Sequence, residues 1–583
     1  MAEGEILCFP ALQKSVNQFI DEQKNKQTLS KARRNVGLVS EFLKSKQGSR
    51  KIEEIYSQEL NDFLSEFIHV TRIMLGFVVQ YITVGNAVIA LLSGLLLHFL
   101  YELYQFRDMP PGPRLTNLPV IGNLLSFDLK ADDFPSAISS IQKKYGRVFS
   151  LKLGSFKFVI AGTPEAVKEV LVTRSADYSG RPQTYYFRKM TLGGKDIIFG
   201  DDNLPWKYHR RIFVSALRQY VSNIPLIEER LSKSTRKLLN LFENEKGEAF
   251  DPVRFITPCI ADIISGIIFG KQFDTGDKNV GDLLADVESF ARSTEDVKAM
   301  VFLGFFPFSK YFPFKSCEKV VGYIRHGLEV IRKVFKESEK VFDSTKTPED
   351  LKEALMHARN EALAKNSGDM AAIMSEDHLI NTINDMFAAG YETTTDTLSW
   401  AIGFLVQYPH YQRDIQTQLD EVVGRNRMPC LDDRLSLPLV QATIMETLRL
   451  GNIVPQALPH CVLKDTSLCG YRVPKGTIVF VDTESVHLDP KCWENPMVFD
   501  PYRHIDDQGQ WITDKGNFYP FGAGRRTCAG EPLAKMELFM FLSWMLHKFT
   551  FVPEEGQKPP LLKPRRALVQ FPSPYKIRAI KRE

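Results

Sequence analysis

No two cysteines in this chain are spaced as C-x-x-C, the pairing that a zinc ribbon or a dithiol redox site needs. The eight that occur are Cys8, Cys259, Cys317, Cys430, Cys461, Cys469, Cys492 and Cys528. Their scatter excludes a disulfide framework and points to thiols in a reducing compartment. Neither sign of charge dominates. The 74 basic and 70 acidic residues leave a net charge of +4, too little to make nucleic acid or another polyanion the main partner. A G-x-G-x-x-G fingerprint is absent, which excludes a dinucleotide-binding βαβ unit of that type. The length of 583 residues alone suggests about four domains. The spread of the motifs below argues instead for one large domain with appendages.

Charge is missing altogether from Ile73 to Tyr101, 29 residues without Asp, Glu, Lys or Arg. About 20 apolar residues suffice to cross a bilayer core. The run is internal and too long for a cleavable signal peptide. Pro110-Pro111-Gly112-Pro113 follows as a stiff, non-helical stretch. Residues 73–101 are therefore expected to form a transmembrane anchor and 102–113 a proline-rich hinge. Flanking charge does not orient the anchor, because 11 basic and 10 acidic residues precede it. Residues 1–72 are charged and show helical spacing at Val16, Phe19 and Ile20, and at Leu60, Phe63, Leu64 and Phe67.

What is present is concentrated in Phe521-Gly522-Ala523-Gly524-Arg525-Arg526-Thr527-Cys528-Ala529-Gly530, which reads F-x-x-G-x-R-x-C-x-G. Glycines let the backbone turn tightly against a flat ligand. Arginine can pair with a carboxylate. Cys528 is the one soft, anionic ligand in the window, suited to holding haem iron as a thiolate. The run resembles the haem-binding loop of the cytochrome P-450 family. That resemblance covers about residues 110–580 and implies a mainly α fold with small β-sheets. The spacing agrees. Val148–Leu153 and Phe156–Ile160 read as a hairpin turning near Gly154, helical periodicity runs to about residue 450, and strand signals return at Val473–Val481.

Further motifs carry the resemblance. Trp206-Lys207-Tyr208-His209-Arg210 gives W-x-x-x-R, with both ends on one helix face. The family pattern makes Trp206 and Arg210 partners of a haem propionate. Asp385 to Thr395 lies in an apolar helix expected over Glu376–Val406. Three consecutive threonines there are costly as plain structure. The segment A-G-x-E-T resembles the family's oxygen-binding groove. Gly390 then leaves room beside the haem, and Glu392 and Thr393 form an acid–alcohol pair for proton relay. Glu446 and Arg449 give E-x-x-R, and Arg503 supplies the third member of a structural charge cluster. His504 departs from the family's P-x-R-F. His460, at the end of Val454–His460, is a further propionate partner.

The resemblance extends to animal microsomal members, nearest to steroid 17-alpha-hydroxylase and drug-metabolising branches. It implies haem b ligated by Cys528 and held by Trp206, Arg210, Gly390, His460, Phe521, Gly524, Arg526 and Gly530. It implies insertion of one atom of dioxygen into an apolar small molecule, whether steroid-like, lipid or xenobiotic. Electrons come from NADPH through NADPH-cytochrome reductase, with a small haem protein as an additional donor. The expected location is the endoplasmic reticulum membrane, with the catalytic domain, residues 114–583, in the cytosol. Two alternatives stand beside this reading. One is a haem-thiolate isomerase or peroxygenase that needs no reductase. The other is a fusion whose residues 1–72 bind nucleic acid. Ser15–Ile20, Val39–Lys44 and Glu59–Phe67 weakly resemble the helical arm of tyrosine-recombinase-like proteins, though no recombinase catalytic residues follow.

Overall fold

The computed structural model describes residues 84–583 apart from 129–130, 132–133, 271–277, 313, 365–372, 513–515 and 567, and before residue 84 only Ser65 and His69. The expected helical extension and the start of the charge-free run thus lie outside the described residues. Helix α1, Val84–Phe106, carries the rest of that run. Among the described residues it is the one helix long and apolar enough to cross a membrane. Leu91, Leu92, Leu96 and Leu97 are exposed on it, whereas a helix of a soluble core buries such a stripe.

Helix α1 continues past the expected end at Tyr101. Glu102 is tolerated because its carboxylate accepts from Asn117 Nδ2 at 3.1 Å and Lys152 Nζ at 2.5 Å. A buried charge with two donors costs far less than a bare one. The stretch 102–113 is therefore part helix and part docked loop. Ser150 N–H donates to the Pro111 carbonyl at 2.8 Å. A β-carbon at Gly112 would sit 1.9 Å from the Ser150 carbonyl oxygen, so only glycine allows this seam.

The hairpin forms as its alternation implies. Strand β1, Val148–Leu153, pairs antiparallel with β2, Phe156–Ala161, and Gly154 takes a φ of 56° at the turn. Strands β3, His460–Cys461, and β4, Ile478–Val481, complete a sheet ordered β1-β2-β4-β3. The apolar run Val473–Val481 is broken in two: Val473 ends one strand, and Ile478 starts β4 after Pro474. Proline cannot donate to a ladder, so the break falls there.

The longer helices that frame the cavity are α2, Leu204–Ser222, α3, Val253–Phe269, α4, Lys278–Arg292, α5, Lys315–Glu339, α6, Glu376–Gln407, α7, Pro438–Gly451, and α8, Glu531–Lys548. Helix α6 starts with Glu376 and Asp377, acids that favour a helix N-terminus, and stops before Pro409. Its threonines are accommodated locally. The hydroxyls of Thr393, Thr394 and Thr397 donate to the carbonyls of Ala389, Gly390 and Thr393 at 2.7, 3.2 and 2.8 Å. These three donors are satisfied within the helix, whereas the buried Thr395 Oγ1 has no partner among the described residues, so part of the cost of the run remains. A β-carbon on Gly390 would lie 2.8 Å from Ile264 Cδ1 on α3. Besides facing the cavity, Gly390 therefore lets two helices approach closely.

Helix α7 buries a charge network. Glu446 accepts from Arg449 Nε and Nη2, both at 2.8 Å, from Arg503 Nε at 3.0 Å and from the Asp500 amide at 2.9 Å. His504 Nε2 lies 3.0 Å from Glu446 Oε2, so the residue that departs from the family's pattern joins the cluster. Burial opposes ionisation of Glu446, but the bonds from Arg449 and His504 outweigh it and hold the carboxyl down to about 2. Removing one member of such a buried set costs about 3–5 kcal/mol. Glu446→Ala should lower stability by that amount in a denaturant titration at neutral pH. Because the folded value lies below the unfolded value of about 4.3, the wild-type contribution is present above that value. It should fade as pH falls from about 5 towards 2, a loss that Glu446→Ala should not show.

Candidate active site

Cys528 lies at the end of a loop whose conformation glycine enforces. Gly522 and Gly524 take φ of 67° and 66°. A β-carbon on Gly524 would fall 2.0 Å from the Leu171 carbonyl oxygen. The Cys528 amide closes the loop by donating to the Phe521 carbonyl at 2.8 Å. Helix α8 begins just beyond, with Gly530 as its N-cap. Burial, with the charge of Glu531, pushes the Cys528 thiol up on balance, while the amides of Gly530 and Glu531 and the charge of Arg210 pull against it. Helix N-termini and nearby cations are the settings in which thiolates are stabilised.

The sulfur opens into a cavity of about 450 Å³ with mostly apolar walls. Helix α6 contributes Gly390, Glu392 and Thr393, and α2 contributes Arg210. Phe521, Arg526, Gly530 and His460 also line the cavity. Gly524 and Trp206 stand behind this wall. The Trp206 indole N–H donates to the Ile197 carbonyl at 3.0 Å. Its ring lies 3.7 Å beneath the Arg526 guanidinium. Trp206 therefore acts on the site through Arg526, by a cation–π contact, instead of offering its own N–H to a ligand as expected.

Three guanidinium groups line the cavity, Arg181, Arg210 and Arg526. Arg181 donates to the carbonyls of Ile198, Leu458 and Pro459 at 2.8–3.1 Å. Arg210 donates to the Thr527 carbonyl. Arg526 donates to the carbonyls of Ser179 and Gly200, both at 2.8 Å, and its Nη1 has no partner among the described residues. All these acceptors are neutral. Asp196, Asp201 and Asp202 lie close enough to offset part of the charge on Arg526. Burial, however, pushes Asp196 up to about 6. Clustered cations with an unfilled donor favour an anionic ligand. A flat macrocycle with two carboxylates and a metal facing a sulfur matches this donor set.

His460 donates through Nδ1 to the Tyr178 carbonyl at 2.8 Å, and burial together with Arg181 pushes it down to about 3. It lines the cavity as a neutral residue, beside the guanidinium of Arg181. Glu537 was also not apparent from sequence. It lines the cavity from α8, accepts from Thr394 Oγ1 at 3.1 Å and leaves Oε1 without a partner among the described residues. Burial, against the bond from Thr394, pushes it up to about 8. The segment Ser179–Pro182 carries the Arg181 signal, but only the fold shows where its side chain lies.

Glu392 and Thr393 both line the cavity. Burial alone pushes Glu392 up to about 7, so near neutral pH it can both release and take up a proton. Thr393 donates to the Ala389 carbonyl, which leaves its oxygen lone pairs available toward the cavity.

Known proteins are similar to this chain in sequence. The cytochrome P450 family model matches residues 110–579. A steroid 17-alpha-hydroxylase/17,20 lyase of Ictalurus punctatus is 35% identical over 82% of this chain and 93% of its own length. One of Oryzias latipes is 35% identical with the same coverage. A cytochrome P450 1A5 of Gallus gallus is 32% identical over 77% of this chain and 85% of its own. With a thiol at a helix N-terminus, a cationic cavity fitted to a dianionic macrocycle and this extent of similarity, the chain belongs to the cytochrome P450 family and is a haem-dependent monooxygenase whose haem b iron is ligated by Cys528.

Proposed function

We propose that the chain oxidises an elongated apolar small molecule, steroid-like, lipid or xenobiotic, from an anchor in the endoplasmic reticulum membrane, with electrons from NADPH through NADPH-cytochrome reductase. The observation that carries this is the meeting of Cys528, Glu392 and Thr393 at one largely apolar cavity. Haem, when bound, supplies dioxygen activation. The residues of the chain do the rest. Arg181, Arg210 and Arg526 bind the propionates, with Trp206 orienting Arg526, and His460, Phe521, Gly524 and Gly530 shape the slot. Glu446, Arg449 and Arg503 hold the backbone beneath it. Thr393 presents a hydroxyl to the reacting end, and Glu392 replenishes its proton. Residues 73–101 serve as anchor, 102–113 as its junction, and 114–583 as the catalytic domain, with 1–72 an extension. The relatives named for steroid 17-alpha-hydroxylation support a steroid-like substrate.

An isomerase needs no oxygen and a peroxygenase no reductase. Retention of an acid–alcohol pair in a cavity where the acid sits near neutrality favours oxygen activation over both. Isotopically labelled dioxygen tests this. The product should gain one labelled atom in a reaction that requires NADPH and reductase. Unlabelled product, or turnover without reductase, would contradict the proposal.

Thr393→Ala should leave haem binding and the melting temperature unchanged and should uncouple the reaction. General acid–base steps contribute about 10²–10⁴-fold, so product per NADPH should fall by about tenfold or more while hydrogen peroxide accumulates. Glu392→Gln should flatten a turnover profile that in the wild type inflects near pH 7, falling on the alkaline side as the carboxyl loses its proton. Lys207, Arg211 and Arg525 are exposed, and they offer a reductase a basic face. The apparent KM for reductase should therefore rise with ionic strength.

A further inference from the structure

A second cavity, of about 320 Å³, lies beside the one that holds Cys528. Leu217 on α2 and Met386 on α6 line both, so the two share a wall. Cys528, Glu392, Thr393 and the three arginines of the larger cavity do not line the second one. Its size falls at the low end of small-molecule sites, about 300–1,000 Å³. Leu226, Ile267 and Leu351 add to its apolar lining.

Two polar side chains in this lining are unmatched. Tyr220, near the end of α2, is 9% exposed, and its hydroxyl has no partner among the described residues. Arg230 stands on the next helix, Ile224–Asn244, and its buried Nη1 has none either. The guanidinium lies 5.3 Å from the centre of the Tyr220 ring. Burial pushes the Tyr220 hydroxyl up to about 12, with Arg230 pulling against it, so near neutral pH it keeps its proton and can donate. Neither acid in the lining pairs with Arg230. Asp350 accepts from the Glu353 amide at 2.8 Å and lies 3.4 Å from Lys352 Nζ. Glu349 is exposed.

A buried cationic edge and a buried hydroxyl without acceptors cost free energy that an anion would recover. A carboxylate brings two acceptor oxygens, one for each donor. One guanidinium among apolar walls matches one negative charge on an apolar body. We propose that the second cavity binds medium-chain apolar monocarboxylates, with the carboxylate held between Arg230 and Tyr220 and the chain laid along Leu217, Leu226, Ile267 and Met386. An alcohol of the same length meets the same walls but brings no charge to Arg230.

The test uses the haem-loaded full chain with an imidazole inhibitor on the iron, which fills the larger cavity. Isothermal titration calorimetry then compares octanoate with 1-octanol. Octanoate should bind about tenfold more tightly or better, and the spectrum of the nitrogen-ligated haem should stay unchanged. Arg230→Gln should bring the ratio of the two affinities close to one. Tyr220→Phe keeps the ring and should lower the ratio about threefold, so it carries the test even if Arg230→Gln fails to fold. Equal binding of octanoate and 1-octanol by the wild type would overturn the site, as would no binding of octanoate or a preference unchanged in both variants. Loss of the inhibitor's spectrum in step with the binding heat would place octanoate in the larger cavity and overturn it as well.

Discussion

A sulfur that carries negative charge inside an apolar cavity is the constraint on which the rest of this structure depends. Burial disfavours the thiolate, and the fold offsets part of that with backbone dipoles and one fixed cation. The amides of Gly530 and Glu531 open helix α8 toward Cys528, and Arg210 approaches from α2. Neither works unless the loop holds still. Gly524 provides that by seating against the Leu171 carbonyl, where any side chain would collide. The loop is therefore fixed from both sides, by a steric demand before the cysteine and by a helix start after it.

The surrounding body divides its polar groups by role. The Glu446 network is closed: each oxygen of the carboxylate has donors, and the carboxyl stays ionised. Such a set fixes geometry. The acids that face the cavity are the opposite. Glu392 and Glu537 are pushed up toward neutrality by burial and lack enough donors to ionise readily. The same fold thus keeps one glutamate permanently charged and others poised to exchange protons, and the number of donors around each decides which.

Local chemistry made much of this legible in the sequence. The loop Phe521–Gly530 combines glycine, arginine and cysteine in one short window. The hairpin at Gly154 and the helix starting at Glu376 follow from alternation and capping. Charge counting marked the charge-free run, but the helix that carries it continues past Tyr101 to Phe106, because Glu102 is matched by Lys152 and Asn117 far along the chain. Long-range pairing hid other features as well. Trp206 spends its indole N–H on Ile197 and reaches the cavity through Arg526. Arg181 adds a third guanidinium to the cavity wall, and burial, with Arg181, keeps His460 neutral. Glu537 becomes notable only because α8 sets it beside Thr394. His504 reads as a departure from the family pattern and is in fact a fourth member of the charge network.

The most direct test of the central claim is the carbon monoxide difference spectrum of the reduced, haem-loaded full chain. Thiolate ligation by Cys528 predicts the strongly red-shifted Soret band of that ligand set, with one haem per chain, and its loss in Cys528→Ser. A band at the unshifted position of a histidine-ligated haem, or an unchanged red-shifted band in Cys528→Ser, would contradict the account.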